Sequence, residues 1–121
     1  MQNRIEITEA NLRNDRLVLT SEINDGAERK PAGRMLTDSD HFAFVYILEQ
    51  DDSFEYVILN EGIWSDLKAA LDANLPVFLH IGNTELELNG FHDELGYLIE
   101  NIKDNANYGE EMEERVKRIF L

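Results

Sequence analysis

No cysteine occurs in this chain, which excludes disulfide support, thiolate zinc sites and cysteine nucleophiles. No apolar run approaches the roughly 20 residues a membrane span needs, and residues 1–7 lack the apolar stretch of a signal peptide. The expectation is therefore a cytoplasmic protein with no membrane partner. Cations are also scarce: 11 Lys and Arg stand against 25 Asp and Glu, for a net charge of −14. The imbalance is local. Residues 1–34 carry six basic and six acidic groups, whereas residues 35–114 carry only Lys68 and Lys103 against nineteen carboxylates. Nucleic-acid backbones are bound by Lys and Arg that displace counterions, so direct nucleic-acid binding is not expected. A basic protein partner suits this charge better, and so does mimicry of nucleic acid. The simplest reading is a well-solvated surface kept soluble by self-repulsion.

Recognisable catalytic motifs are missing as well. No nucleophile elbow, phosphate-binding glycine loop, dinucleotide fingerprint or His-Glu-x-x-His helix is present. Among the histidines, only His41, with Asp38 and Asp40, forms a cluster with ligand chemistry. Such a cluster before a strand is more simply a turn held by side chain–backbone hydrogen bonds. His80 is expected to face Glu85 across a hairpin, and His92 to open a helix. The acidic pair Asp51-Asp52 reads as turn chemistry. No cofactor is implied.

What the chain does have is a length of 121 residues and 43% hydrophobic content, enough for one domain with its own core. Two apolar runs, Phe42–Leu48 and Phe54–Leu59, flank a polar turn and predict a central β-hairpin. If Glu49 pairs with Ser53, then Leu48 opposes Phe54, Tyr46 opposes Tyr56 and Phe44 opposes Ile58. Every aromatic of the hairpin then shares one face. Ala43, Val45, Ile47, Val57 and Leu59 share the other with Glu55. A four-residue loop would set Phe54 opposite Glu49, a poor cross-strand pair, and is disfavoured on that ground. Both faces look buried, so a face left uncovered by helices is a candidate partner surface.

Elsewhere the pattern is conventional. Ile5 and Ile7 mark a strand, Asn14-Asp15 a turn, and residues 16–21 its partner strand. The signal weakens over residues 22–34, where Pro31 and Gly33 predict a loop or short edge strand before a brief strand at Met35–Thr37. A helix should carry Ile63, Trp64, Leu67, Ala70 and Leu71 and stop at Asn74 and Pro76. Gly82-Asn83 predicts a two-residue hairpin turn between Val77–Ile81 and Thr84–Leu88. A second helix follows with Phe91, Leu95, Leu98, Ile99 and Ile102. The last helix has Tyr108, Met112, Val116, Ile119 and Phe120 as its stripe. Three pairs spaced i,i+4, Glu111–Arg115, Glu113–Lys117 and Glu114–Arg118, explain its charges. The fold class expected is α+β: a mainly antiparallel sheet of six or seven strands with three helices packed chiefly on one face. The two hairpin–helix segments look alike, which shared mechanics explains as well as duplication does.

The run Asn105-Ala106-Asn107-Tyr108-Gly109-Glu110-Glu111, the closing Ile119-Phe120-Leu121 and the central hairpin together resemble the short YjbL-like proteins of Bacillus-type bacteria. The resemblance covers nearly the whole chain and is weakest at residues 9–35. It implies a bacterial cytosolic protein, and brings no established activity, cofactor or site with it. In physical terms Asn105–Gly109 is a tight helix–helix connection, with Asn105 or Asn107 suited to left-handed geometry. A partner-recognition role would use Asn105, Asn107 and Tyr108. The expected function is a non-catalytic protein-interaction module that self-associates, as a dimer. The alternatives are a small-molecule or divalent-metal site built on carboxylates and His41, and an acidic mimic that occupies a basic protein.

Overall fold

A computed structural model describes residues 3–103 and 105–121. Seven strands form one sheet: β1 (Arg4–Leu12), β2 (Leu17–Ser21), β3 (Lys30–Asp38), β4 (Ala43–Gln50), β5 (Ser53–Asn60), β6 (Val77–Ile81) and β7 (Thr84–Glu87). Three helices follow the hairpins and close the chain: α1 (Trp64–Ala73), α2 (Phe91–Ile102) and α3 (Glu110–Phe120). The class is α+β, as expected. The strand order is β3-β4-β5-β1-β2-β6-β7. Because β1 runs parallel to β5 and β2 parallel to β6, the sheet is mixed, with antiparallel hairpins dominating.

The β1–β2 hairpin lies at the centre, and the two later hairpins add on either side of it. The first adds through its second strand, β5, and the other through its first strand, β6. Their placements are not equivalent, so their similarity rests on common mechanics. Residues 30–38 form a full nine-residue edge strand, where the sequence pattern indicates a loop or short edge strand followed by a brief strand at Met35–Thr37. An edge position tolerates Pro31, which has no N–H to give. A register shift between Pro31 and Met35 accommodates Gly33 at φ 69°.

One face of the sheet carries the core. Ile5, Leu17, Leu19, Phe44, Tyr46, Leu48, Val57, Leu59, Val77 and Leu79 point inward and are fully or almost fully buried. Against them α1 sets Trp64 and Leu67, α2 sets Phe91 and Leu95, and α3 sets Met112, Val116 and Phe120. The stripes read from the sequence face the core, with Leu71 and Ile119 only partly buried there and Tyr108, expected on the last helix, packing from the turn before it. Phe44, Trp64 and Phe120 meet at centroid distances of 5.2, 5.7 and 6.1 Å, contacts worth about 0.5–1.5 kcal/mol each beyond area burial. The Trp64 indole donates to the Leu59 carbonyl at 3.0 Å, so its burial leaves no orphan N–H.

The helix ends follow from local chemistry. The Asn60 side chain accepts from Gly62 N, turning the chain from β5 towards α1, and Asn74 ends α1 at φ 55°. All three i,i+4 ion pairs of α3 form. Arg115 also bonds Glu61 and lies 4.0 Å from the Phe42 ring centroid. Glu111 and then Glu61 hold its guanidinium more firmly charged.

The central hairpin forms in the register that the sequence argument disfavoured. Gln50 pairs with Ser53, so Glu49 opposes Phe54, Tyr46 opposes Val57 and Phe44 opposes Leu59. A two-residue turn, Asp51-Asp52, makes this possible, with Asp51 at φ 53°. The aromatics are consequently divided: Phe44 and Tyr46 face the helices, Phe54 and Tyr56 the opposite side. The Glu49–Phe54 mismatch costs little, because Phe54 sits at the rim beneath the Arg34 guanidinium, 5.7 Å from its ring centroid.

Candidate functional site

Two regions stand out once the core is removed from view: the outer face of the sheet, and a cleft where its two edges approach. The observed register decides which side chains reach the first. Val57 and Leu59, grouped by the sequence argument with Ala43, Val45 and Ile47, are 0% exposed in the helix-facing core and leave the candidate interface. Ala43 and Val45 face outward beside Ile58, forming a small second apolar cluster with Tyr56 against it. Ile47 shares that side, opposite Tyr56. These residues are themselves buried, so a partner would meet the larger groups around them. Leu36, paired with Val45, is 50% exposed, and Phe54 is 42% exposed.

Charge on this face differs from charge elsewhere. By register the outward groups of β3, β4 and β1 include Lys30, Arg34 and Arg4 as cations and Asp38, Glu49, Glu6 and Glu9 as anions. Three cations stand against four anions. On a chain of net charge −14, this face is close to neutral.

The second region lies between the edge strands. β3 and β7 occupy opposite ends of the strand order, yet the sheet curls until they touch. Just past β7, Gly33 and Gly90 come together: a Cβ on Gly90 would stand 3.6 Å from the Gly33 carbonyl oxygen. Below this point the edges part around a cleft of about 720 Å³, lined by Asn24, residues 26–30, Glu49, Asp51 and the β6–β7 turn with its flanking residues. The segment joining β2 to β3 crosses this end as a strap. Arg29 fastens it. Its side chain is only 4% exposed and bonds Glu55 at 2.5 and 3.3 Å, Asp25 at 2.8 and 3.0 Å and the Ala27 carbonyl at 3.4 Å. Five contacts use all five N–H donors of a guanidinium. Arg29 and the Ala27 N–H hold the Asp25 carboxyl down at about 2, and Arg29 itself stays charged well beyond the ordinary range. At the other end of the strap, Gly82 N donates to the Ile23 carbonyl at 3.1 Å.

The remaining sequence candidates separate. His41 is exposed and bonds Asp38 at 2.9 Å through Nδ1. Among the described residues no group of three His, Asp or Glu side chains is arranged to hold a metal ion. Asn105 accepts from the Asn107 N–H at 2.9 Å, an Asx turn, and Tyr108 packs partly on the core. The positive φ of this connection among the described residues is at Gly109, φ 92° with ψ 142°, which is outside the left-handed helical geometry expected at Asn105 or Asn107. His80 pairs with Glu85 in the cross-strand register. His92 does more than open a helix: its Nε2 donates to the Leu75 carbonyl at 2.5 Å, tying α2 to the end of α1. Tyr46 gives its hydroxyl to the Asn89 carbonyl at 2.6 Å, and burial pushes its pKa up to about 12. The strap and its arginine fall in the weakly patterned residues 22–34 and carry no signal of their own, because a charged residue in such a stretch reads as solvated loop. No helix of the described residues is long and apolar enough to cross a membrane.

Comparison with known proteins agrees with the resemblance carried by residues 105–111. A model of UPF0738, a family of unknown function, matches residues 5–120. The chain is 98% identical over 121 residues to a UPF0738 protein of Bacillus licheniformis, covering the whole of both chains. It is 62% identical over 122 residues to UPF0738 protein YjbL of Bacillus subtilis, also over the full length of both. A Geobacillus relative is 45% identical over 123 residues, spanning all of this chain and 99% of that one. No solved structure matches.

Proposed function

The chain belongs to the UPF0738 family, whose function is unknown, and we propose that it is a non-catalytic interaction module that pairs with a second copy of itself through the outer sheet face. The observation that carries this reading is the exposure of Leu36, which pairs with Val45, and of Phe54 at the rim of the face that holds the Val45–Ile58 cluster, on the side away from all three helices. Exposed apolar groups clustered on one face favour association over solvation. The choice of a second copy rests on charge. Two acidic surfaces repel one another, and this nearly neutral face, with three cations against four anions, lets two such chains approach. A two-fold pairing also lets each cation find an anion of the other copy, because the same surface is used twice.

The size of the face sets the strength. Four strands at about 4.8 Å spacing and six residues at about 3.3 Å rise give a patch roughly 19 Å by 20 Å. That is at the small end of specific interfaces, so the pair should be weak, with a dissociation constant on the order of micromolar or above. Sedimentation across about 10 μM to 1 mM should show a mass rising from 14.0 kDa towards twice that value. Leu36→Asp combined with Phe54→Asp should hold it at the monomer, while Tyr97→Asp, on exposed α2 surface, should not. A constant monomer mass in the parent chain over that range would remove the proposal.

A further inference from the structure

The edge cleft opens beside the pairing surface, shares Lys30 and Glu49 with its rim, and has its own chemistry. Its walls are fixed. Arg29 is buried with every donor engaged, and Asn24 lies so close to Gly82 that a Cβ there would come within 2.8 Å of its Oδ1. A cleft held this way is preformed, and about 720 Å³ lies within the size range of small-molecule sites. Its apolar floor is Ile81 and Leu86, both packed on the core. The Arg29 charge is spent on Asp25 and Glu55, which leaves Glu28, Glu49 and Asp51 around the cleft against one further cation among the described lining residues, Lys30.

We infer that this cleft binds a small organic cation, an ammonium group on an aliphatic body, with the body on Ile81 and Leu86 and the charge among Glu28, Glu49 and Asp51. A bare metal ion is a poorer fit, since it would leave the apolar floor unused. An extended peptide strand fits less well too. The β3 edge offers Pro31 without an N–H, and β7 has only four residues to pair with. An anion would meet more carboxylate than ammonium.

The test is a methyl NMR titration of the full chain with pentylammonium, and with pentanoate and pentanol as matched anionic and neutral probes. The Ile81 and Leu86 methyl signals should shift saturably with pentylammonium at concentrations up to the order of 10 mM, and should respond weakly to the other two. Glu28→Gln with Asp51→Asn should weaken binding at least about fivefold, as loss of two partly solvated charges does. Glu9→Gln with Glu110→Gln, two exposed carboxylates outside the cleft, should change it less than about twofold. The inference fails if no saturable shift occurs, if pentanoate does as well, or if both double variants weaken binding equally. The last result would mean general attraction to an acidic chain. Dimerisation is read separately by sedimentation, and the charge variants leave the shared Lys30 and Glu49 unchanged, so failure of one proposal is told apart from failure of the other.

Discussion

The β4–β5 and β6–β7 hairpins have the same plan: two antiparallel strands, a two-residue turn and a helix after a short break. They differ in what holds the register. In β6–β7 the inward residues Val77, Leu79 and Ile81 alternate with Phe78 and His80, and Glu85 and Glu87 lie outward. A slip by one residue would bury Glu85 and Glu87 and expose the leucines, so the polarity pattern alone fixes the pairing. In β4–β5 the run Ala43–Leu48 is buried on both faces, and a slip exchanges one apolar set for another. There the turn and the helices decide. Asp51 takes the left-handed position of a tight turn, and α1 and α3 claim Phe44 for an aromatic cluster with Trp64 and Phe120. A two-sided strand thus takes its register from tertiary contacts, and a one-sided strand takes it from its own sequence.

The largest effect should come from testing that division of the aromatics. Phe44→Ala removes a 0% exposed ring from the Trp64–Phe120 cluster and should cost about 3–5 kcal/mol. Phe54→Ala, on the other face and 42% exposed, should cost less than about 1 kcal/mol. Urea unfolding of both variants measures the contrast. Equal losses would restore the arrangement in which all four aromatics share a face.

The turns give the next smaller effect. Gly82 has φ 60° and no room for a Cβ beside Asn24, so Gly82→Ala should destabilise by about 1–2 kcal/mol. Asp51 has nearly the same φ, 53°, on a side chain that adopts it with some strain. Asp51→Gly should therefore stabilise the chain by up to about 1 kcal/mol, less the entropy glycine returns to the unfolded state. Thermal unfolding midpoints moving in opposite directions would support the shared turn geometry. A loss at both positions would mean that the first hairpin does not use this turn.

What could be read beforehand follows the same physical line. The stripes Trp64-Leu67-Ala70, Phe91-Leu95-Leu98-Ile102 and Met112-Val116-Phe120 were legible because each helix has one wet face. The Gly82-Asn83 turn was legible because glycine in that place has few other uses. The extent of β3 was hidden, because Pro31 and Gly33 argue against a strand unless it is known to be an edge. Outward placement of Ala43, Val45 and Ile47 could be named as one face of the hairpin. Their neighbours there could not, because Val57 and Leu59 look no different from Tyr56 and Ile58 until a core exists to choose between them. The edge cleft had no trace at all. It is made by strands 3 and 7, the two farthest apart in the sheet order, and only curling brings them together.

The strap of residues 22–29 is where the two hairpins are tied to each other, and acid should loosen it at one end only. Arg29 joins the strap to Glu55 of the first hairpin, while Gly82 N joins it to the turn of the second through an uncharged backbone bond. Asp25, which holds Arg29 in place, has its pKa lowered from 3.8 to about 2, chiefly by the Arg29 hydrogen bonds. A carboxyl depressed in the folded state contributes stability that is fully present above about 3.8, its unfolded value, and is lost as pH falls towards about 2. Asp25→Asn should therefore be less stable than the parent at neutral pH, and the gap should close over that acid window. The carboxylate is exposed and partly screened by solvent, so the difference should be the smallest of the three. Urea midpoints of both chains at about pH 7, 4 and 2 measure it. Amide exchange at the strap adds the spatial test. The Ala27 N–H, which bonds the Asp25 carboxylate, should lose protection with acid, while Gly82 N–H should keep it. If both open together, the strap behaves as one unit, and the two hairpins are coupled through it more tightly than separate fastenings allow.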